Sequence, residues 1–165
     1  DIYISVNASP LTVQSGRLEA VFADYEAQRI VLEITEHAAV HDYETLLAEL
    51  EILRTKGIRL AVDDAGAGYS GLQNIVQLQP DIIKLDMSLT TQIDKDLVRK
   101  SLSSALVRFA GETGAMIVAE GIETEQEFET LQQLGVDLGQ GYLLGRPASL
   151  GDACSWFQIA GQKKA

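Results

Sequence analysis

The residues able to do chemistry in this chain fall at regular places: Asn7, Glu33, the adjacent pair Asp63–Asp64, Lys84, Glu120 and Gln140. Each closes an apolar run of strand length. They recur about every 27 residues on average, near the roughly 30 residues of one β-α unit. A single strand-terminal carboxylate is ordinarily a helix cap or a surface group. Two features resist that reading. Asp63 and Asp64 are neighbours whose like charges repel unless a cation joins them. Lys84 lies between Ile83 and Leu85, where an ammonium group needs a carboxylate or an anion beside it. Oxygen donors from Asn, Asp and Glu suit Mg2+, Mn2+ or Ca2+, and the sequence has no Cys/His spacing for zinc. His37 and His41, on a polar segment, are expected to be solvated. A carboxylate shared between two such ions would build a site that splits phosphoesters by activating water and stabilising the leaving oxygen. A nearby lysine would orient that water or neutralise developing charge.

These positions need a scaffold that brings strand ends together. Strand-length runs rich in Val, Ile and Leu cover 2–7, 29–35, 58–64, 81–86, 115–120 and 136–142. They are nearly continuous in hydrophobicity, as strands covered on both faces should be. Helical stripes separate them: Leu46, Leu47, Leu50 and Leu53 within 43–56, and Leu102, Leu106 and Phe109 within 96–112. Thr124-x-x-Glu127 reads as a capping box opening a further helix. Gly57, Gly114 and Gly135 each follow a helical run and precede a strand, the C-terminal glycine stop of a helix returning to a sheet. Repeating units of this kind argue for parallel strands joined by right-handed crossovers. A doubly wound nucleotide-binding sheet would carry a glycine-rich turn after its first strand. This chain has Asn7-Ala8-Ser9-Pro10 there instead. The alternative is a (β/α)8 barrel with its first units absent, since a complete barrel typically needs about 250 residues. In a barrel, strand C-termini surround one mouth, so the whole polar set would face one opening. The loop 65–71, with Gly66, Gly68 and Gly71, would form a mobile lid over it.

Composition narrows the classes further. The 165 residues carry 24 acidic and 13 basic side chains, a formal charge of −11, which disfavours binding a nucleic acid polymer. No run of about 18 apolar residues is present to span a membrane, and no membrane contact is expected. One cysteine, Cys154, fits a reducing cytoplasm. One domain over 1–160 is expected, with 161–165 a frayed tail. The start at Asp1, close to a strand-like run, reads as the edge of an excised piece.

Six motifs, taken in order, resemble those of the bacterial EAL domain, a family of cyclic di-GMP phosphodiesterases. They are Asn7-x-Ser9, Glu33-Ile-Thr-Glu36, Asp63-Asp64-x-Gly66-x-Gly68-Tyr69-Ser70, Lys84-Leu-Asp86, Glu120-Gly-Ile-Glu123-Thr124 and Gln140-Gly-Tyr142 with Arg146-Pro147. The resemblance covers the C-terminal two-thirds of that domain. It implies an α/β, TIM-like (β/α)8 barrel that opens cyclic di-GMP to linear pGpG with two Mg2+ or Mn2+ ions, Ca2+ being inhibitory. By the same resemblance Asn7, Glu33, Asp63, Asp64 and Glu120 are metal ligands, with Asp63 bridging. Lys84 and Glu120 hold or activate the attacking water. Gln140 and Arg146 face substrate, Glu36 anchors the glycine loop, and Glu123 supports the ligand shell.

Three departures stand out. Ala65 and Ala67 replace the Phe and frequent Thr of the family loop, and Gly71 replaces a serine. The Glu-Ala-Leu segment, which lies upstream in the family and supplies a further ligand, does not occur before Asn7. Leu18-Glu19-Ala20 sits inside a later helix instead. The chain is therefore expected to lack the first two strands and to be weakly active by itself. The competing readings are a catalytically impaired domain that acts as a cyclic di-GMP receptor and a scaffold that uses the barrel to dimerise. The resemblance also implies a homodimer through residues around 71–79 and fusion to sensory or GGDEF-type domains.

Overall fold

A computed structural model describes residues 2–34, 42–66, 69–149 and 151–152, with 69–71 described by their backbone alone. Six strands alternate with helices: β1 (Ile4–Ala8), β2 (Ile30–Ile34), β3 (Arg59–Ala65), β4 (Ile82–Leu85), β5 (Met116–Ala119) and β6 (Leu138–Gly139). All neighbours are parallel, and their order in the sheet is their order in the chain. A doubly wound sheet reverses direction at a switch point. This one never does, and an unreversed sequential order is how a parallel barrel is laid down.

Between β1 and β2 lie α1 (Pro10–Gln14) and α2 (Leu18–Phe22). The other helices are α3 (Tyr43–Thr55), α4 (Tyr69–Leu78), α5 (Met87–Thr90), α6 (Leu97–Thr113) and α7 (Glu125–Leu134). The expected caps and the α3 stripe are present, whereas in α6 Leu102 is exposed and the buried face is Ser103, Leu106 and Ala110. Leu46, Leu50 and Leu53 are the buried face of α3, α6 and α7 stop at left-handed Gly114 and Gly135, and Gly57 follows the cap of α3 with φ of 98°. The capping box of Thr124 and Glu127 is complete. Ser9, from the first motif, caps α1 by accepting the Thr12 backbone N–H at 3.2 Å. The strand read over 136–142 shrinks to two residues, and the chain after it packs against Ile122, where a Cβ on Gly141 would lie 2.2 Å from the backbone nitrogen.

Period-two alternation divides the strand residues between two faces. Leu32, Ile34, Leu60, Val62, Ile83, Leu85 and Ile117 join the helices in the main core. Val31, Ala61, Ile82 and Val118 form a smaller cluster on the opposite face with Tyr3 and Met116. Strand starts are tied by aspartates. Asp81 accepts the Leu60 N–H at 2.8 Å and Asp137 accepts that of Ile117 at 2.7 Å. These bonds fix the register of the strands whose far ends carry the polar set. Glu36, His37, His41, Gly68, Cys154 and the tail 161–165 lie outside the described residues, as do the side chains of Tyr69 and Ser70.

Candidate metal and phosphodiester site

Alternation carries the polar set onto the inner face. Tyr3, Ser5 and Asn7 of the β1 segment, Val31 and Glu33 of β2, Ala61 of β3, Ile82 and Lys84 of β4, Val118 of β5, and Gln140 line one cavity of about 330 Å3. Its lining thus mixes apolar strand residues with polar and ionisable ones. Tyr3 and Ser5 were not singled out from sequence, yet stepping back by two from Asn7 points to both.

At the centre stands Lys84. Its Nζ lies 2.7 Å from Glu120 Oε1, 2.9 Å from Glu33 Oε2 and 3.0 Å from Asp63 Oδ1, so each of its three protons has a carboxylate acceptor. Glu33 and Lys84 are buried and Asp63 and Glu120 half-buried. Burial alone would lower the lysine pKa, but the hydrogen bonds to Glu120, Glu33 and Asp63 outweigh it and hold the ammonium above its ordinary value. Glu120 is also held above its ordinary value, which for an acid disfavours the charged form. Its burial raises the pKa, the Lys84 contact only partly offsets this, and the Asp63 and Glu33 charges add to the rise.

How two adjacent aspartates come to serve one site is answered by an irregularity of β3. Successive strand residues point to opposite faces. Here Val62 pairs with Ile83 but Ala65 pairs with Leu85, so Asp63 and Asp64 together stand opposite Lys84 in a β-bulge. Asp64 takes the left-handed conformation, with φ of 55°, and its N–H donates to Asp63 Oδ1 at 3.0 Å. As a result carboxylate oxygens of Asp63, Asp64 and Glu120 all lie within 4.8 Å of one another. Three hard oxygen donors at that spacing suit a divalent ion of the Mg2+ or Mn2+ class. The four carboxylates and one ammonium leave an excess of three negative charges, which a pair of divalent cations would more than balance.

The remaining candidates are distributed around this centre. Asn7 is exposed on β1, directly across from Glu33 in the register. Gln140 donates from Nε2 to Glu120 Oε1 and so braces the carboxylate that touches Lys84. It also lines a second, adjoining cavity of about 600 Å3 with Glu123, Tyr142 and Arg146. The Arg146 guanidinium stacks 4.4 Å above the Tyr142 ring there. Glu123 is exposed and turns to this second cavity rather than to the carboxylate cluster. Gly66, with φ of 108°, packs beneath Leu89 and acts through its backbone shape. Ala65 is fully buried at the end of β3.

Known proteins resemble this chain in both sequence and fold. The EAL domain family matches residues 1–147. The chain is 39% identical over 158 residues to the probable cyclic di-GMP phosphodiesterase PdeA of Escherichia coli K12, covering 90% of this chain and 21% of that protein. It is 36% identical over 148 residues to the cyclic di-GMP phosphodiesterase PA2567 of Pseudomonas aeruginosa, covering 87% and 25%. The chain thus spans about a quarter of the length of these curated relatives. Among solved structures, BlrP1 of Klebsiella pneumoniae in its manganese and cyclic di-GMP complex superposes with a TM-score of 0.79 at 33% identity, over 88% of this chain and 39% of that one. The EAL domain of Mycobacterium smegmatis DcpA gives 0.82 at 31% identity, over 94% and 72%.

Proposed function

The chain belongs to the EAL domain family, and from that premise we propose that it is part of a metal-dependent phosphodiesterase that hydrolyses cyclic di-GMP to linear pGpG. The observation that carries the proposal is the Lys84 ammonium held by Glu33, Asp63 and Glu120 beside a cluster of three carboxylates. A module that only held nucleotide would have no use for a charged lysine caged by acids at the metal cluster. Asp63, Asp64 and Glu120, with Glu33 and Asn7, would hold two Mg2+ or Mn2+ ions. Bound there, such ions polarise a phosphodiester and acidify water.

The chain's own groups do the rest. Lys84 would turn one Nζ proton from a carboxylate partner to the attacking oxygen and offset charge that builds on the phosphate. Glu120, whose burial makes it a better proton acceptor than an ordinary carboxylate, takes the water proton at a carboxylate oxygen. Gln140 keeps that carboxylate turned toward Lys84. The water oxygen bonds to phosphorus as the P–O3′ bond breaks, which opens the ring, and the leaving O3′ takes a proton from solvent. The 600 Å3 cavity next to Gln140 has room for a planar base, with Arg146 at its rim for an anionic oxygen.

Incubation of the full-length protein with cyclic di-GMP and Mn2+ is expected to yield the linear dinucleotide, and Ca2+ in place of Mn2+ to suppress it. Nucleotide recovered intact from a folded protein that binds both metal and ligand would instead establish a receptor. A homodimer through α4 is proposed alongside, on the exposed Leu72 and Val76, at 47% and 62% exposure. Light scattering at rising concentration tests it, and a persistent monomer overturns it. We propose further that the domain is cytoplasmic and joined to sensory or GGDEF-type partners.

A further inference from the structure

Two buried polar side chains outside the carboxylate cluster are not explained by the hydrolytic reading. Thr90, the last residue of α5, is 0% exposed, and its Oγ1 donates to the backbone carbonyl of Glu120. Glu127, in the first turn of α7, is 4% exposed. Its Oε2 accepts from the backbone N–H groups of Glu123 and Thr124, at 3.1 and 3.0 Å, which is the ordinary work of a capping box. Its Oε1 does something a capping box does not require: it accepts the Gln92 N–H at 2.7 Å, across from a different loop.

Residues 90–92 are thus fastened to residues 120–127 at two points. One bond runs from a threonine to the Glu120 carbonyl, and the other from the Gln92 amide to Glu127. Between them the loops touch closely. Gly121, with φ of 66°, leaves so little space that a Cβ would lie 2.7 Å from Met87 Cβ. One fastened segment continues from Lys84 and the other begins at Glu120, the two groups whose side chains meet at 2.7 Å.

We infer that Thr90 and Glu127 are positioning residues that clamp the loop after β4 to the loop after β5 and thereby fix the Glu120 carboxylate for metal and for Lys84. The inference rests on the proposed hydrolytic reading. A half-buried carbonyl that loses its donor must shift toward water or remain unsatisfied, and Glu120 moves with it. At Glu127 a neutral amide offers one oxygen, not two. It can keep the cap of α7 or the bridge to Gln92, but then presents its NH2 to the other donor.

The test compares wild type with Thr90→Val, Thr90→Ser and Glu127→Gln. Mn2+ affinity is read by calorimetry without nucleotide, and kcat and KM are measured separately with cyclic di-GMP. Thr90→Val and Glu127→Gln are expected to weaken Mn2+ binding roughly 10- to 100-fold, the usual cost of losing a partner of a metal ligand. They should lower kcat more than they change KM, and Thr90→Ser, which keeps the hydroxyl, should restore both. Mn2+ affinity indistinguishable from wild type in folded Thr90→Val and Glu127→Gln, whatever their thermal stability, overturns the inference alone. Absence of Mn2+ binding by wild type overturns the hydrolytic reading and the inference together. Should Thr90→Val fail to fold, Glu127→Gln carries the same comparison, because Thr124 still caps α7 in that variant.

Discussion

Lys84 gives all three of its protons to carboxylates, so replacing it with methionine strands Glu33, Asp63 and Glu120 without a counter-ion. Removing one side of a buried charge cluster typically costs about 3–5 kcal/mol, and protonation of Glu120 will relieve part of that. Lys84→Met is expected to melt below wild type in metal-free buffer and to regain more stability than wild type when Mn2+ is added. Hydrolysis should fall by roughly 100-fold or more, the usual worth of a group that handles the reacting proton. Thermal melts with and without Mn2+, beside turnover of cyclic di-GMP, check both halves. Glu127 makes a different prediction, about pH. Burial would raise its pKa, but the N–H donors of Gln92, Glu123 and Thr124 overcome this and hold it below the ordinary 4.5. A carboxyl depressed in the folded state stabilises above its unfolded pKa, and that stabilisation disappears as pH falls through the folded value. The stability difference between wild type and Glu127→Gln should therefore be constant near neutrality and shrink below about pH 4.5. Denaturant midpoints across that range measure it, and a difference that does not change with pH refutes it.

The element that does most for the site is the bulge in β3. It turns two consecutive aspartates toward Lys84, where a regular strand would send one into the helical core. Asp64 must then tolerate a φ of 55°, which asparagine accepts and a β-branched residue resists. Asp64→Asn is expected to keep wild-type stability, whereas Asp64→Val should lose about 1–2 kcal/mol by denaturant unfolding. Both lose the carboxylate, so both should bind Mn2+ poorly, and the pair separates the backbone role from the ligand role. Equal stability of the two would show the bulge to be indifferent to residue 64. The sequence carried no mark of this bulge beyond the paired acids themselves. What it did carry clearly were the long periodic segments: the leucine stripe of α3, the Thr124–Glu127 cap and the glycine stops all recur in the structure. The short helices α1, α2 and α5 span four or five residues, too few for a 3.6-residue period to register. Apolar strands ending in polar residues made Glu33, Lys84 and Glu120 legible as one group. Thr90 was silent, because a threonine after an apolar turn looks like any other and its partner carbonyl is thirty residues away.

At the scale of the whole molecule, the sheet is best buried at its middle. Ala61, Val62, Ile83 and Leu85 of β3 and β4 are 0% exposed, whereas Ile4 of β1 is 67% and Leu138 of β6 is 40% exposed. Among the described residues β1 pairs only with β2, and β6 only with β5. Local opening free energies follow such differences in burial and pairing. Amides of β3 and β4 are therefore expected to exchange with solvent only through global unfolding, and those of β1 and β6 through cheaper local opening. The site spans this gradient, since Asn7 and Gln140 sit on or beside the two weakly held strands while Asp63 and Lys84 sit on the firm ones. A ligand that joins both sets must pull the outer strands toward the stability of the centre. Hydrogen exchange with mass detection, run with and without Mn2+ plus cyclic di-GMP, should then show slowing concentrated at residues 4–8 and 138–142 and little change at 82–85. Uniform slowing across the sheet on ligand addition would mean that binding stabilises the molecule as one block, and that its outer strands are not where the site is closed.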